Sequence, residues 1–152
     1  MKLVPCTSTG QNGWLSLRRE LWPEGSQHEH LAEMQSFLDQ PIRFAQFMVY
    51  AQDGEPAGFV EAALRTDYVN GTEGSPVAFL EGIYVRPERR GSGIGGALVG
   101  AAEQWAGAQG CSELASDALL DNHASHAFHQ ATGFAETERV VYFRKSLGAA
   151  EA

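Results

Sequence analysis

A chain of 152 residues, 43% hydrophobic and 20% charged, has the length of one ordinary domain and a globular composition, which excludes a disordered or fibrous chain. Eleven basic against nineteen acidic side chains leave a formal charge of −8, which argues against non-specific binding to nucleic acid and suits a cationic partner. No apolar run is long enough to span a bilayer and no secretory pattern is present. Cys6 and Cys111 lie far apart without ligand spacing, so the expectation is two free thiols in a reducing cytoplasm.

Gly13 to Leu21 has helical spacing, with Trp14, Leu17 and Leu21 on one face, and Trp22-Pro23-Glu24-Gly25 stops it. Ser26 followed by Glu29 predicts a capping box, after which Leu31, Met34 and Leu38 repeat helically towards Asp39. Phe44–Ala51 and Ala57–Arg65 read as strands joined by a hairpin turn at Asp53-Gly54. A polar loop runs from Asp67 through Asn70-Gly71 to Ser75-Pro76. Val77–Val85 is the most apolar strand, interrupted by Glu81-Gly82. Past the polar run Arg86–Ser92, Ile94, Leu98, Ala101 and Trp105 mark a helix that Gly107 and Gly110 end. Glu113–Ser116 reads as a short strand and Asn122–Thr132 as a helix capped by Gly133. Thr137–Lys145 reads as a last strand, and 148–152 as a frayed tail. The order predicts a mixed α/β architecture in one domain, 1–147.

Arg89-Arg90-Gly91-Ser92-Gly93-Ile94-Gly95-Gly96 lies between the strongest strand and a strongly periodic helix. Glycines let backbone approach a ligand, and the free N–H groups and positive dipole end of the helix favour a phosphate, with Arg89 and Arg90 beside them. Gly91-x-Gly93-x-x-Gly96 also matches the dinucleotide fingerprint, but Arg86–Arg90 separate it from its strand and too few strands follow. Glu81, inside an apolar strand, has to be paired, protonated or facing a wet cleft. Asp117 follows a short strand, at the end where open α/β sheets place their sites. His123, His126 and His129 recur every three residues, but each step drifts about 60° around a helix, so they do not converge on a metal. No Gly-x-Ser-x-Gly elbow or cysteine nucleophile context indicates covalent catalysis.

Arg90-x-x-Gly93-x-Gly95 resembles the acetyl-CoA pyrophosphate loop of the GNAT superfamily of N-acetyltransferases. The preceding strand, Ile83-Tyr84-Val85, and the downstream segment from Asn122 to Gly133-Phe134 fit the same resemblance. Leu17-Arg18 to Leu21-Trp22-Pro23, Asp67-Tyr68-Val69-Asn70-Gly71, Phe79–Val85, Ala115-Ser116-Asp117 and Glu136-Thr137-Glu138-Arg139 are further similar to the aminoglycoside 6'-N-acetyltransferases, from about Trp14 to Lys145.

The resemblance implies a GNAT fold, a mostly antiparallel mixed sheet splayed around the acetyl-CoA loop with about four helices. It implies acetyl-CoA as co-substrate, held by Ile83, Tyr84, Val85, Arg90, Gly91, Ser92, Gly93, Ile94, Gly95, Gly96 and Asn122. A cationic aminoglycoside would lie near Trp22, His28, Tyr68, Glu81, Asp117 and Glu138. Glu81 or Asp117 would take the amine proton. His129, where many members have tyrosine, would protonate the thiolate. The resemblance also implies a homodimer with C-terminal strands near the interface. Acetylation of a polyamine or protein lysine, and a non-catalytic acyl-CoA-binding module, are the alternatives.

Overall fold

The N-terminal residues lack the alternation that would predict a strand, yet Lys2–Pro5 forms β1 by pairing antiparallel with the first predicted strand. The computed structural model describes residues 1–148. The part of the expected frayed tail beyond 148 lies outside the described residues. Helices α1 (Trp14–Leu21) and α2 (Gln27–Leu38) follow, and the predicted capping box starts α2. Ser26 Oγ accepts from the Glu29 N–H at 3.1 Å while Glu29 Oε1 accepts from the Ser26 N–H at 3.2 Å.

Strands β2 (Phe44–Tyr50) and β3 (Pro56–Arg65) form the expected hairpin, with Gly54 at φ 83° in its turn. Next come β4 (Val77–Val85), a 3₁₀ turn at Pro87–Arg89, α3 (Ile94–Ala108), β5 (Leu114–Ala115) and α4 (His123–Ala131). The sheet order is β1-β2-β3-β4-β5, antiparallel up to β4, with β5 parallel to β4. This is the mixed, splayed sheet with four helices that the resemblance implied. No described helix is long and apolar enough to cross a membrane.

Period-two alternation divides the core between the two faces. On one face Val49, Val60, Ala62 and Leu80 pack against Ile94, Leu98 and Ala102 of α3. On the other, Met48 and Phe59 meet Trp14, Leu17 and Met34 of α1 and α2. That second face also holds a charge. Arg18, one turn after Trp14, is 1% exposed and forms an ion pair with Glu61 of β3, itself 2% exposed. Trp14 Nε1 donates to Glu61 Oε2 at 2.9 Å, and Arg18 also reaches Glu33. Burial pushes the Glu61 carboxyl up, and Arg18 and Trp14 pull against that shift. Cys6 and Cys111 are both free, and burial raises both thiols.

The predicted strand Thr137–Lys145 is not formed; these residues have no regular structure and are exposed. A strand exists only with a ladder partner, and β5 ends at Ala115 without offering one. Val141, Tyr142 and Phe143 consequently stand 76%, 82% and 92% exposed.

Glu61→Ala should cost about 3–5 kcal/mol of unfolding free energy, because it strands a buried guanidinium. Urea denaturation checks this, and Glu33→Ala, at the exposed end of the same network, should cost far less.

Candidate active site

Strand β4 changes its pleat at one residue. Glu61 pairs with Gly82 and Ala62 with Leu80, so Glu81 is the extra residue of a β-bulge. A bulge re-aims side chains, and here Glu81 leaves the alternation of the flanking residues while Gly82 faces α1. A methyl group on Gly82 would come within 2.4 Å of Trp22 Cη2, so only glycine admits the indole there. Trp22 is fixed from behind as well: its ring meets Phe59 edge-on at 5.9 Å and the Arg18 guanidinium at 4.9 Å. His30 Nδ1 accepts from Arg18 Nε at 3.2 Å, so Nε2 carries the proton and donates to the Trp22 carbonyl at 3.1 Å. The structure thus sets Trp22 against Gly82, the residue next to Glu81 in the chain.

Glu81 is paired. Arg65 Nη2 reaches its two oxygens at 2.8 and 3.0 Å, and Arg65 Nε donates to Oε1 at 3.2 Å. The ladder between β4 and β5 matches Phe79 with Ala115 and ends there, so Glu81 and Asp117 each lie two residues beyond the last paired position of their strands. Asp117 is exposed just beyond β5. Tyr68, 77% exposed, sits on the polar loop after β3. Glu113 Oε1 accepts from the Glu73 N–H at 2.9 Å and from the Gly74 N–H, and buried Val69 packs on Val77 and Phe79; together they anchor this loop. Arg43, Arg65, Asp67 and Tyr68 wall a cavity of about 710 Å³ there. His28 is exposed on the first turn of α2, and Glu138 is exposed in the segment without regular structure.

Strand β5 pairs with β4 only at Ala78 and Phe79, so from Leu80 to Val85 that edge of β4 has no strand partner among the described residues. This open edge leads into the glycine-rich turn. Gly91 and Gly93 hold φ 81° and 86°, a region costly for other residues. No side chain caps α3 and its first turn has no acid, so its N–H groups are left for an anion. A methyl group on Gly95 would strike Phe128 at 2.5 Å, whereas one on Gly96 would meet open space. Ser92 Oγ donates to the Arg89 carbonyl at 2.8 Å and Arg90 Nε to the Val85 carbonyl at 2.8 Å. Of the two arginines expected beside a phosphate, Arg89 is committed elsewhere, to Asp53 at 2.7 Å in the β2–β3 turn. That contact holds Asp53 below the usual carboxylate range.

Asn122 is the N-cap of α4, its Oδ1 accepting from the Ser125 N–H at 3.2 Å. His129 offers no free ring nitrogen. Nδ1 faces the Ser125 carbonyl at 2.7 Å and so carries the proton, leaving Nε2 to accept from Ser116 Oγ at 2.7 Å. Sequence reasoning missed Arg65, His30 and Ser116. Arg18 left a trace, because it occupies the i+4 position of the α1 face that begins at Trp14.

The family model "Acetyltransferase (GNAT) family" matches residues 12–134. The chain belongs to the GNAT acetyltransferase family. Every expected site residue except Glu138 lies inside the match. Aminoglycoside N(6')-acetyltransferase type 1 of Acinetobacter genomosp. 13 is 51% identical over 97% of this chain and 100% of its own length. The crystal structure of aminoglycoside antibiotic 6'-N-acetyltransferase AAC(6')-Ih from Acinetobacter baumannii superposes with a TM-score of 0.89 at 48% identity, covering 97% of this chain and 99% of that one. The structure of AAC(6')-Iy in complex with a bisubstrate analog, CoA-S-monomethyl-acetylneamine, gives 0.90 at 41% identity over 95% and 97% of the two chains.

The uncapped α3 turn, the open space at Gly96 and the unpaired β4 edge fit the acetyl-CoA used by this family. Gly93→Asp should abolish acetyl-CoA binding by calorimetry and leave the fold nearly intact. The new Cβ meets no atom within 4 Å, and the added charge would repel a pyrophosphate. Aspartate tolerates positive φ better than most residues.

Proposed function

We propose that the protein transfers the acetyl group of acetyl-CoA to the 6'-amine of aminoglycosides and thereby confers resistance to them. The observation that carries this reading is full-length similarity to aminoglycoside N(6')-acetyltransferases. The site residues are compatible with it. Trp22 offers a flat apolar ring for a sugar, and Glu81, Asp117, Tyr68 and Glu138 supply acids and an aromatic for ammonium groups. The binding of such a polycation should weaken with salt. His28, at the mouth of the loop after α1, belongs to the same proposed drug site.

In this reading the co-substrate lies along Ile83, Tyr84 and Val85, its pyrophosphate in the turn from Arg90 to Gly96, with Asn122 beside it. The bound ammonium loses a proton through water to Glu81, and Asp117 orients the nitrogen. The freed lone pair attacks the thioester carbonyl carbon, whose oxygen is polarised by a backbone N–H near Val85. The carbon–sulfur bond then breaks, the new amide nitrogen releases its second proton to solvent, and the CoA thiolate takes a proton. Only the acid form of His129, in which Nε2 donates to Ser116 instead of accepting from it, supplies that proton, and Ser116 hands its own hydroxyl proton on to the thiolate. The two free cysteines support a reducing, cytoplasmic location.

We further propose a homodimer that covers the segment after Thr137. Val141, Tyr142, Phe143 and Leu147 form an apolar run that a monomer leaves in water. Glu138, just ahead of that run, would then stand near a site of either subunit. Phe143→Glu should convert the dimer to monomer in sedimentation; a monomeric wild type would refute the proposal.

An acetyl-transfer screen over aminoglycosides with and without a free 6'-amine tests the function. Turnover confined to polyamines or lysine peptides would overturn it, as would acetyl-CoA binding without turnover on any amine. Glu81→Gln should lower kcat about a hundredfold, because it keeps the shape of the side chain and removes its basicity. Asp117→Asn should mainly raise KM for the drug.

A further inference from the structure

Glu81 is not an empty acid waiting for a substrate. Arg65, the last residue of β3, grips both its oxygens, and the guanidinium lies 3.7 Å from the Phe79 ring centroid. The pair is open to water, with 42% of the Arg65 and 34% of the Glu81 side chain exposed. Arg65 also walls the cavity that holds Asp67 and Tyr68. A cation therefore already sits where the proposed drug site needs an ammonium group.

We propose that Arg65 is a specificity-determining residue: an internal cation that occupies Glu81 and yields it only to a ligand that brings further ammonium groups for the other acids of the cleft. This rests on the reading of Glu81 as part of the drug site. Three physical points support it. An exposed ion pair is worth little, so exchanging one cation for another on Glu81 is nearly neutral. Displaced Arg65 is not stranded, because it keeps water and the Phe79 ring. Its charge nevertheless stays in the cleft and repels the incoming amine, so a monoamine, which engages Glu81 alone, gains almost nothing by binding. A polyamine that also reaches Asp117 and Tyr68 adds further small gains that together repay the exchange. Arg65 thus penalises simple amines by occupying the carboxylate, without a steric barrier.

The test uses the full chain in steady-state acetyl transfer, with kanamycin as polycation and a methyl 6-amino-6-deoxyglucoside as monoamine. Arg65→Gln should lower KM for kanamycin roughly two- to fivefold at low ionic strength, the worth of one exposed ion pair. It should raise kcat/KM for the monoamine by a larger factor. Arg65→Met, which keeps the stem over Phe79, should give the same result, and Arg65→Lys, which keeps the charge, should stay near wild type. A KM for kanamycin that rises or stays unchanged in both neutral variants overturns the inference. A Lys variant that behaves like Gln overturns it too, because charge would then not be the cause. Glu81→Gln separates the two levels: if it alters neither KM nor kcat, the drug-site reading of Glu81 itself fails. In Glu81→Gln protein the Arg65→Gln change should bring no further gain for either amine.

Discussion

A guanidinium with almost no access to water, Arg18, ties the two helices of one face to the sheet beneath them. Its partners come from two elements: Glu61 from β3, and His30 and Glu33 from α2. Such a buried pair contributes little net stability, since desolvating two charges offsets most of their attraction. Its effect is geometric. Only one rotation of α1 and one of α2 satisfy the guanidinium, the Trp14 indole N–H and the His30 ring together. Apolar packing alone would accept several nearby arrangements. The consequence reaches the candidate site through Trp22, whose carbonyl is held by His30 and whose ring is backed by Arg18.

A second constraint comes from the sheet. One extra residue in β4 and the early end of β5 together open a gap between two parallel strands that would otherwise pair along their length. On one side of this gap the β4 backbone is unpaired and leads to the uncapped start of α3. At the bulge on β4 stands Glu81, in its pair with Arg65. In the proposed function, an acidic amine site and an anion-binding turn are adjacent consequences of a single break in regular pairing. Strong opposite preferences, a carboxylate corner for cations and free N–H groups for a pyrophosphate, are kept apart along the same strand.

Much of this was legible in the sequence because it was locally encoded. The Ser26–Glu29 box, the Asp53-Gly54 turn, the faces of α1 and α3 and the glycines before α3 each depend on residues a few positions apart. The resemblance then supplied Trp22, Glu81 and Asp117, which no spacing brings together. What was not legible is set by distant partners. β1 exists because β2 offers an edge, not because Lys2–Pro5 has a pattern. Thr137–Lys145 has the pattern and no edge, so the same reasoning failed in the opposite direction. Arg18 and Glu61 are 43 positions apart and Arg65 and Glu81 are 16 apart, beyond the reach of any local rule.

Arg18 and Arg65 show how burial decides what one residue type does. Both hold a glutamate on the same sheet, and both lie against aromatic rings. Arg18 cannot leave: removing either partner strands a charge in a medium where water does not compensate it. Arg65 can leave at little cost, because water replaces each bond it loses. An acidic protein that is to receive a cation needs both kinds. The fixed pair keeps the walls of the cleft in register while ligands exchange. In the proposed function, the labile pair holds the Glu81 carboxylate aligned until a ligand with more cationic groups arrives, and by being weak it leaves the choice of ligand to the other acids in the cleft.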